Sequence, residues 1–375
     1  MRSPGLLFIG MLAILLCGCA STLKLRAPLN HLSTDVPMFG KIPSRMFLDS
    51  SLFTFPLSVA WQYDASAGFG NGSPIVAGNI LFMGTMQGEL HAVDIETGKK
   101  ISYMKTYSPV SSSPVIFNKY LIVGTESNNE NLLCIDTDDG EIRWSKNLGG
   151  VASSPMVEDS LLFAGGLDGK FYCLEAAYGT KKWIFDAENP IRSSPCAWGD
   201  LVFCANTRGT VFALEKNTGV LRWKFGTNNA VFAGLTASQG RLFVASRDSN
   251  LYIFDAVTGA VDKKIPVGNK IMSAPAVDEN NVFVPSLDGS LLAFSLSDGT
   301  LRWKFQSKSA INTTPIVTPT AIFVASLDQR LYAVSPFDGT VLWYHDFESR
   351  IKTTPLVWKN SVIIAAEDKT IYLFR

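Results

Sequence analysis

The side chains that most often hold metal ions are scarce in this sequence. None of its histidines has the close spacing, such as H-x-x-x-H, with which one helix face presents two imidazoles to a zinc ion. They are His31, His91 and His345. The sequence therefore predicts no metal site.

Several aspartates recur at one position of a repeated motif, just before a glycine turn. They include Asp94, Asp136 and Asp255. Aspartate at such a position commonly accepts hydrogen bonds from the backbone of its own turn. We therefore expect these carboxylates to shape turns, and the sequence predicts no catalytic residue.

Four cysteines beyond the N-terminal region could in principle form disulfides. Cys134 and Cys173 share one repeat position in adjacent units, whose sheets should lie about 10 Å apart, beyond the roughly 7 Å limit for bridged Cα atoms. Cys196 and Cys204 share a unit, and a turn at Gly199-Asp200 would point their sulfurs to opposite faces. The sequence predicts four buried free thiols.

Composition excludes one broad class of function. The 375 residues include 33 Lys and Arg against 33 Asp and Glu, so the formal net charge is zero. A nucleic-acid-binding protein needs an excess of cations to neutralise phosphates. With 47% hydrophobic residues the chain can bury a large core, and we expect no nucleic-acid partner.

The N-terminus has the pattern of a secretory signal. Arg2 precedes an apolar run from Leu6 to Leu16, which is too short to span a bilayer because spanning takes about 20 residues. The exit Leu16-Cys17-Gly18-Cys19 resembles the bacterial lipobox, which implies a signal peptide over 1–18 and lipidation at Cys19. The alternative is an ordinary signal that leaves Cys19 as a plain thiol.

The residues after Cys19 are expected to form a lipidated tether over 19–56 that lies partly against the folded body. This segment has no clean periodicity and contains several prolines. Ala20 rather than Asp follows the cysteine, and resemblance to lipoprotein sorting signals then implies the outer membrane. The expected location is its periplasmic face.

The rest of the chain repeats with a period near 40 residues. A Ser/Thr/Ala-Pro step marks seven units, at Pro74, Pro114, Pro155, Pro195, Pro275, Pro315 and Pro355. The eighth unit fills the gap of 80 residues, with its anchor near Thr236. A period of this length indicates a repeat architecture.

Each unit is predicted to contain four short strands. The first two are apolar at consecutive positions, as in Ile80-Leu81-Phe82-Met83, which is typical of strands covered on both faces. Four strands in each of eight units predict an all-β fold, an eight-bladed β-propeller over 57–375. The last unit ends in its third strand at Arg375, so Pro56 to Tyr63 should supply its fourth and close the ring.

A motif in these units resembles the tryptophan-docking repeat of pyrroloquinoline-quinone-type propellers. It is clearest from Ala213 to Trp223, with Thr218-Gly219 at its turn. Six tryptophans occupy the docking position, namely Trp61, Trp144, Trp183, Trp223, Trp303 and Trp343. The position holds Ser102 in the first unit and Lys263 in the fifth. We expect the indoles to fill the gaps between neighbouring blades.

Three functions are compatible with this resemblance. Quinone-dependent dehydrogenases share the repeat, but this sequence has no Cys-Cys pair and no carboxylate-rich insertion between units. A lipidated propeller of this size is also similar to the BamB family of outer-membrane assembly lipoproteins, which implies a non-catalytic protein scaffold without cofactor. The expected partner is then the β-barrel assembly machinery. The third alternative is a propeller that senses a ligand in its central funnel.

Candidate partner contacts lie on the loops expected at one rim of the ring. Arg192 and Lys352 occupy the same position in units four and eight, so they should face each other across the funnel mouth. Arg247 and Asp248 lie in a variable loop of unit five. Variable charged loops on a rigid ring commonly bind partners, so we expect binding at this rim.

Overall fold

The computed structural model describes residues 22–127 and 129–375, and the predicted signal peptide and Cys19 lie outside these ranges. The described chain forms 32 strands in eight antiparallel sheets of four strands each. Within these ranges no helix has the length and apolar character needed to cross a membrane. The sheets are arranged as the blades of a propeller, as the sequence predicts.

Blades are numbered here from the first complete sheet, and the strands of each are called a to d from the channel outward. Blades 1 to 4 comprise β2 Ile75–Ala77, β3 Ile80–Gly84, β4 Glu89–Asp94 and β5 Lys100–Lys105; β6 Val115–Phe117, β7 Tyr120–Gly124, β8 Leu132–Asp136 and β9 Ile142–Lys146; β10 Met156–Glu158, β11 Leu161–Gly165, β12 Lys170–Glu175 and β13 Lys181–Asp186; and β14 Cys196–Trp198, β15 Leu201–Ala205, β16 Thr210–Glu215 and β17 Leu221–Gly226. Blades 5 to 7 comprise β18 Thr236–Ser238, β19 Arg241–Ala245, β20 Asn250–Asp255 and β21 Val261–Pro266; β22 Ala276–Val277, β23 Asn281–Pro285, β24 Ser290–Ser295 and β25 Leu301–Gln306; and β26 Ile316–Val317, β27 Ile322–Ser326, β28 Arg330–Val334 and β29 Val341–Asp346. Blade 8 combines β30 Leu356–Trp358, β31 Ser361–Ala365 and β32 Thr370–Phe374 with β1 Val59–Asp64.

Both ends of the chain meet in blade 8. Strand β1 pairs antiparallel with β32, with Trp61 opposite Leu373 and Tyr63 opposite Ile371. Ser58 and Arg375 exchange backbone hydrogen bonds just before this pairing begins. The predicted closure of the ring by an N-terminal strand is therefore confirmed.

Burial differs between the inner and outer strands of a blade. In blade 4 every residue of β15 is buried, whereas β17 alternates between exposed and partly buried residues. The inner strands are covered on both faces by the neighbouring blades, which explains their unbroken apolar runs. The outer strand has one solvent-exposed face and can therefore carry charges.

The tryptophan motif joins each blade to the next through a glycine. The Trp183 indole donates from Nε1 to the Lys216 carbonyl of blade 4 at 2.8 Å, and it lies against Gly219. A Cβ at Gly219 would approach the indole to 2.6 Å, and the backbone there has φ +71°, so only glycine fits without strain. The same donor and acceptor positions recur for Trp61, Trp144, Trp223 and Trp303.

The N-terminal segment fills the gap where blade 1 has no docking tryptophan. Leu23 and Leu25 are buried between blades 1 and 2, and a Cβ at Gly140 would meet the Leu23 and Lys24 backbone. The Leu25 N–H donates to the Thr137 carbonyl at 2.9 Å. Thr137 stands three residues before its turn glycine, as Lys216 does, so Leu25 uses the acceptor that an indole uses elsewhere.

The four cysteines of the propeller are free and buried, as predicted. Cys196 pairs with Phe203 across the first two strands of blade 4. It packs in the core shared with blade 5, whereas Cys204 packs in the core on the other face of the blade. Burial also raises the pKa of Cys134 and Cys173 to about 12, which keeps these thiols protonated and unreactive.

Candidate functional site

The propeller has two rims that differ in composition. The turn rim carries the a–b and c–d turns, and the loop rim carries the b–c loops and the d–a loops that lead to the next blade. The loop rim is the one on which the sequence places the candidate contacts. The central channel runs between the two rims along the a strands.

A belt of hydroxyl groups surrounds the channel near the loop rim. In six blades the residue before the proline is Ser or Thr, and its hydroxyl accepts a backbone N–H from the preceding blade at 2.7 to 3.2 Å. These residues are Ser73, Ser113, Ser154, Ser194, Thr314 and Thr354. Gly234 and Ala274 interrupt the belt in blades 5 and 6. The repeated Ser/Thr-Pro step therefore joins neighbouring blades around the axis.

The chain closes the turn-rim end of the channel with its own residues 36–49, called here the plug segment. Six blades donate one N–H each from the second residue after the proline position to a plug carbonyl, at 2.8 to 3.1 Å. The acceptors are Val36, Pro37, Pro43, Ser44, Met46 and Phe47. The a strands are sheet edges with free N–H groups, and the plug segment satisfies them.

Blade 3 is held by a side chain of the plug segment instead. Arg45 is fully buried and donates to the carbonyls of Ser154 and Pro155 at 2.9 and 3.2 Å, and to that of Phe39 at 3.0 Å. No carboxylate pairs with it within the described ranges, and burial lowers the pKa of Arg45 to about 9. Its guanidinium also lies 5.3 Å from the centroid of the Phe39 ring, and that ring packs edge-to-face against Phe47.

At the loop rim, the channel mouth is lined by pairs of residues 15 positions apart in the sequence. One member stands three residues before the proline position and the other lies in the b–c loop of the same blade. Ser111 donates to Glu126 at 2.6 Å, the Arg247 guanidinium lies 5.2 Å from the Phe232 ring, and Lys352 forms an ion pair with Glu367. This spacing is a signal in the sequence from which contacts at the mouth could have been predicted.

The same spacing distinguishes the two cations expected to face each other. Lys352 and Arg192 lie in opposite blades of the ring, but Glu367 neutralises Lys352 and also binds Arg350 at 2.9 Å. Partial burial raises the pKa of Glu367, but Lys352 and Arg350 together hold this pKa below its usual value. At Arg192 the residue 15 positions on is Thr207, and among the described residues no carboxylate pairs with Arg192.

The predicted contacts in blade 5 have different roles. Arg247 stacks on Phe232 and has no carboxylate partner within 22–127 and 129–375. Asp248 accepts from the Tyr252 hydroxyl at 2.7 Å and from the Asn228 N–H at 3.0 Å, so it holds two loops together. Partial burial raises the pKa of Asp248, but these hydrogen bonds and those from Asn250 hold this pKa below its usual value. Asp248 is therefore a structural residue of the loop.

Blades 4 to 6 and the loop that follows them carry a run of cations without ion-pair partners in the part of the chain that the structure describes. We call it the basic loop sector, and it consists of Arg192, Arg208, Arg247, Lys270 and Lys308. All but Arg247 are exposed. Asp248 and Asp288 of the same sector accept hydrogen bonds within their own blades. Glu188, in the same loop as Arg192, is exposed and has no ion-pair partner among the described residues, so five cations and one carboxylate remain available to a partner.

Among the described residues, no three His, Cys, Asp or Glu side chains come together as a possible metal site. Lys352, Glu367, Asn71 and Ser111 line an open depression of about 500 Å³ at the mouth. The lining contains two carboxylates: Glu367 is paired with two cations, and Glu126 accepts a hydrogen bond from Ser111.

Comparison with known proteins agrees with this architecture. A family profile described as outer membrane protein assembly factor BamB matches residues 57–148, 104–225, 207–321 and 307–374. A search of curated protein sequences finds no match. Among solved structures, BamB from Moraxella catarrhalis superposes with a TM-score of 0.72 at 16% identity, covering 85% of this chain and 100% of that one.

Other solved propellers superpose equally well at low identity. A europium-containing methanol dehydrogenase gives a TM-score of 0.79 at 13% identity, covering 91% of this chain and 98% of that one. The computationally designed Ika8 protein gives 0.74 at 17% identity, covering 83% and 97%. At such identities the structural matches establish the fold alone, whereas the four profile matches together extend from residue 57 to residue 374. The chain therefore belongs to the family of the outer membrane protein assembly factor BamB.

Proposed function

We propose that this chain is a non-catalytic, protein-binding propeller that acts in the assembly of outer-membrane β-barrel proteins. In this proposal a lipid on Cys19 holds it at the periplasmic face of the outer membrane. Membership of the BamB family supports the assembly role. One acyl chain anchors only marginally, so stable attachment needs a multiply acylated cysteine.

The observation that carries the proposal is the basic loop sector. In a chain with no net charge, five cations on five of the loops from blade 4 to the start of blade 7, all at one rim, have no ion-pair partner among the described residues. Exposed unpaired cations contribute little to folding but increase the rate and specificity of association with a complementary surface. The partner segment that fits this sector is acidic, and Phe232 and Met272 supply apolar contacts beside the cations.

The plug segment favours a scaffold role for this protein rather than the binding of a ligand inside the channel. It fills the channel from the turn rim toward the hydroxyl belt and is fixed by hydrogen bonds to six blades. A rigid ring with one closed end presents its loops in a constant arrangement, which favours recognition of a protein surface.

The experiment is co-purification from crosslinked membranes, with charge reversals as the discriminating variants. Arg192→Glu combined with Arg208→Glu should reduce recovery of a barrel-assembly complex at unchanged protein level. The matched control is Lys224→Glu with Lys304→Glu, which makes the same change on exposed outer strands of blades 4 and 6. If both double variants recover the complex equally, or if the unaltered chain recovers none, the proposal is wrong.

The second candidate is a quinone-binding or ligand-sensing propeller, which the structural likeness to dehydrogenases keeps open. A ligand that binds only the folded state stabilises it by RT ln(1 + L/Kd), where L is the ligand concentration, so the melting temperature rises with that concentration. We expect no saturable shift with pyrroloquinoline quinone and Ca²⁺. A clear shift would favour the second candidate.

A further inference from the structure

The described chain begins at the turn rim of blade 2. Thr22 directly precedes Leu23, which is buried beside the Gly140 turn, and Leu25 is hydrogen-bonded to Thr137 of the same turn. Three residue steps separate Cys19 from Thr22. Three steps of extended chain reach about 10 Å, so an anchor at Cys19 keeps this turn close to the lipid headgroups.

Exposed apolar side chains are concentrated on the same rim. Five large apolar residues of the described chain are more than 60% exposed. Tyr178, Val257 and Phe337 lie in c–d turns, and Leu52 lies on the segment that crosses the turn rim. Tyr107 on the loop rim is the fifth. Scattered exposed residues are ordinary on a soluble protein, but four of these five lie on the rim that an anchor at Cys19 would bring to the membrane.

Two further features of the turn rim fit a lipid surface. Phe337 borders a groove of about 640 Å³ whose lining includes the apolar Ile42, Leu48 and Pro319 and also the charged Lys41, Asp49, Asp278 and Glu279. Beside the point where the chain leads to Cys19, Lys24 and Arg26 are exposed and have no carboxylate partner within the described residues. Cations next to an anchor are attracted to anionic headgroups.

We infer that the turn rim lies against a lipid surface, with Phe337, Tyr178 and Val257 in contact with the headgroup region. This inference rests on the lipid anchor of the proposed function. It places the basic loop sector on the side away from the membrane, where a partner in the periplasm can reach it. The propeller ring and the lipid anchor at Cys19 together then set the distance between the bound partner and the bilayer.

The test uses the full lipidated chain on vesicles of phosphatidylethanolamine and phosphatidylglycerol that contain a nitroxide-headgroup lipid. A fluorescent label is attached in Phe337→Cys and, as the matched control, in Tyr107→Cys. The two side chains are 83% and 88% exposed. Because Cys134, Cys173, Cys196 and Cys204 are buried, the label reacts only at the introduced thiol.

Quenching of the label at position 337, with little quenching at 107, is the expected result. Quenching at 107 alone, or at neither position while the protein sediments with the vesicles, overturns the inference and leaves the anchor intact. The second of these results would place the turn rim in solvent, away from the headgroups. If the lipidated chain does not sediment, or if Cys19→Ser sediments equally, the anchor is wrong and the inference is overturned with it.

Discussion

The two rims of this propeller are built from the same forty-residue unit, yet one rim holds the blades together and the other presents variable side chains. At the turn rim the Trp–Gly contacts repeat in five blade pairs with the same acceptor position, and the plug segment accepts N–H groups from the a strands of six blades. At the loop rim each blade has its own side chains at the two paired mouth positions. Packing fixes the turn rim, whereas the loop rim is free to vary and to bind.

The largest effect should come from changing the turn rim at a tryptophan contact. Gly219→Ala places a Cβ 2.6 Å from the Trp183 indole at φ +71°, whereas at Gly199, with φ +57°, nothing lies within 4 Å. Left-handed strain costs each variant about 1–2 kcal/mol, and overpacking adds about 1–3 kcal/mol to Gly219→Ala alone. Urea unfolding of both variants measures the difference. Equal losses would show that the indole contact does not require glycine.

The N-terminal segment should contribute to stability through its buried residues only. Leu23→Ala in the chain without its lipid removes a fully buried side chain and should cost about 2–4 kcal/mol of unfolding free energy. Leu52→Ala is the control on the same rim, since Leu52 is 62% exposed, and its effect should stay within about 0.5 kcal/mol. A small loss for Leu23→Ala would mean that the segment is not part of the folded ring.

The loop rim should contain structural charges as well as free ones. Asp248→Asn weakens the hydrogen bonds from Tyr252 and Asn228 and should cost about 1.5 kcal/mol at pH 7. The pKa of Asp248 is lowered in the folded state, so its stabilising effect is present above the ordinary value of 3.8 and is lost as the pH falls through the folded pKa. Melting temperatures of both proteins from pH 7 to pH 3 should therefore converge. A constant difference across that range would contradict this role.

The smallest effect distinguishes the two opposite cations at the mouth. Lys352→Glu sets a second carboxylate beside Glu367 and should cost up to about 1 kcal/mol. Arg192→Glu should leave the unfolding free energy within about 0.5 kcal/mol, because no ion pair is lost. Thermal unfolding in low and high salt measures both variants. A loss for Arg192→Glu that is as large as that for Lys352→Glu would place an unrecognised acidic partner near Arg192.

Local repetition explains why the ring could be predicted and the plug segment could not. The proline spacing and the Trp–Gly motif each depend on residues within one unit and recur in most units, so the sequence shows them directly. The plug segment contacts one residue in each of many blades, and a chain that follows a ring has neither helical nor strand periodicity. The missing tryptophan at Ser102 was the signal that another residue, here Leu23, must fill that gap.

The residues at the channel mouth could likewise be predicted from the sequence only in part. Arg192 and Lys352 share a repeat position, and the sequence alone predicts equal roles for them. Their difference depends on the residue 15 positions later, which is Thr207 in one blade and Glu367 in the other. A comparison of paired positions across units, rather than of single positions, would have separated them.

Photocrosslinking in cells tests most directly whether the loop rim binds the partner. A photoreactive residue replaces Arg208 in the basic loop sector or, as the matched position on the turn rim, the exposed Asn280 of blade 6. The account predicts a crosslink between position 208 and a component of the barrel-assembly machinery, and no protein crosslink at position 280. A protein crosslink at 280 with none at 208 would contradict it.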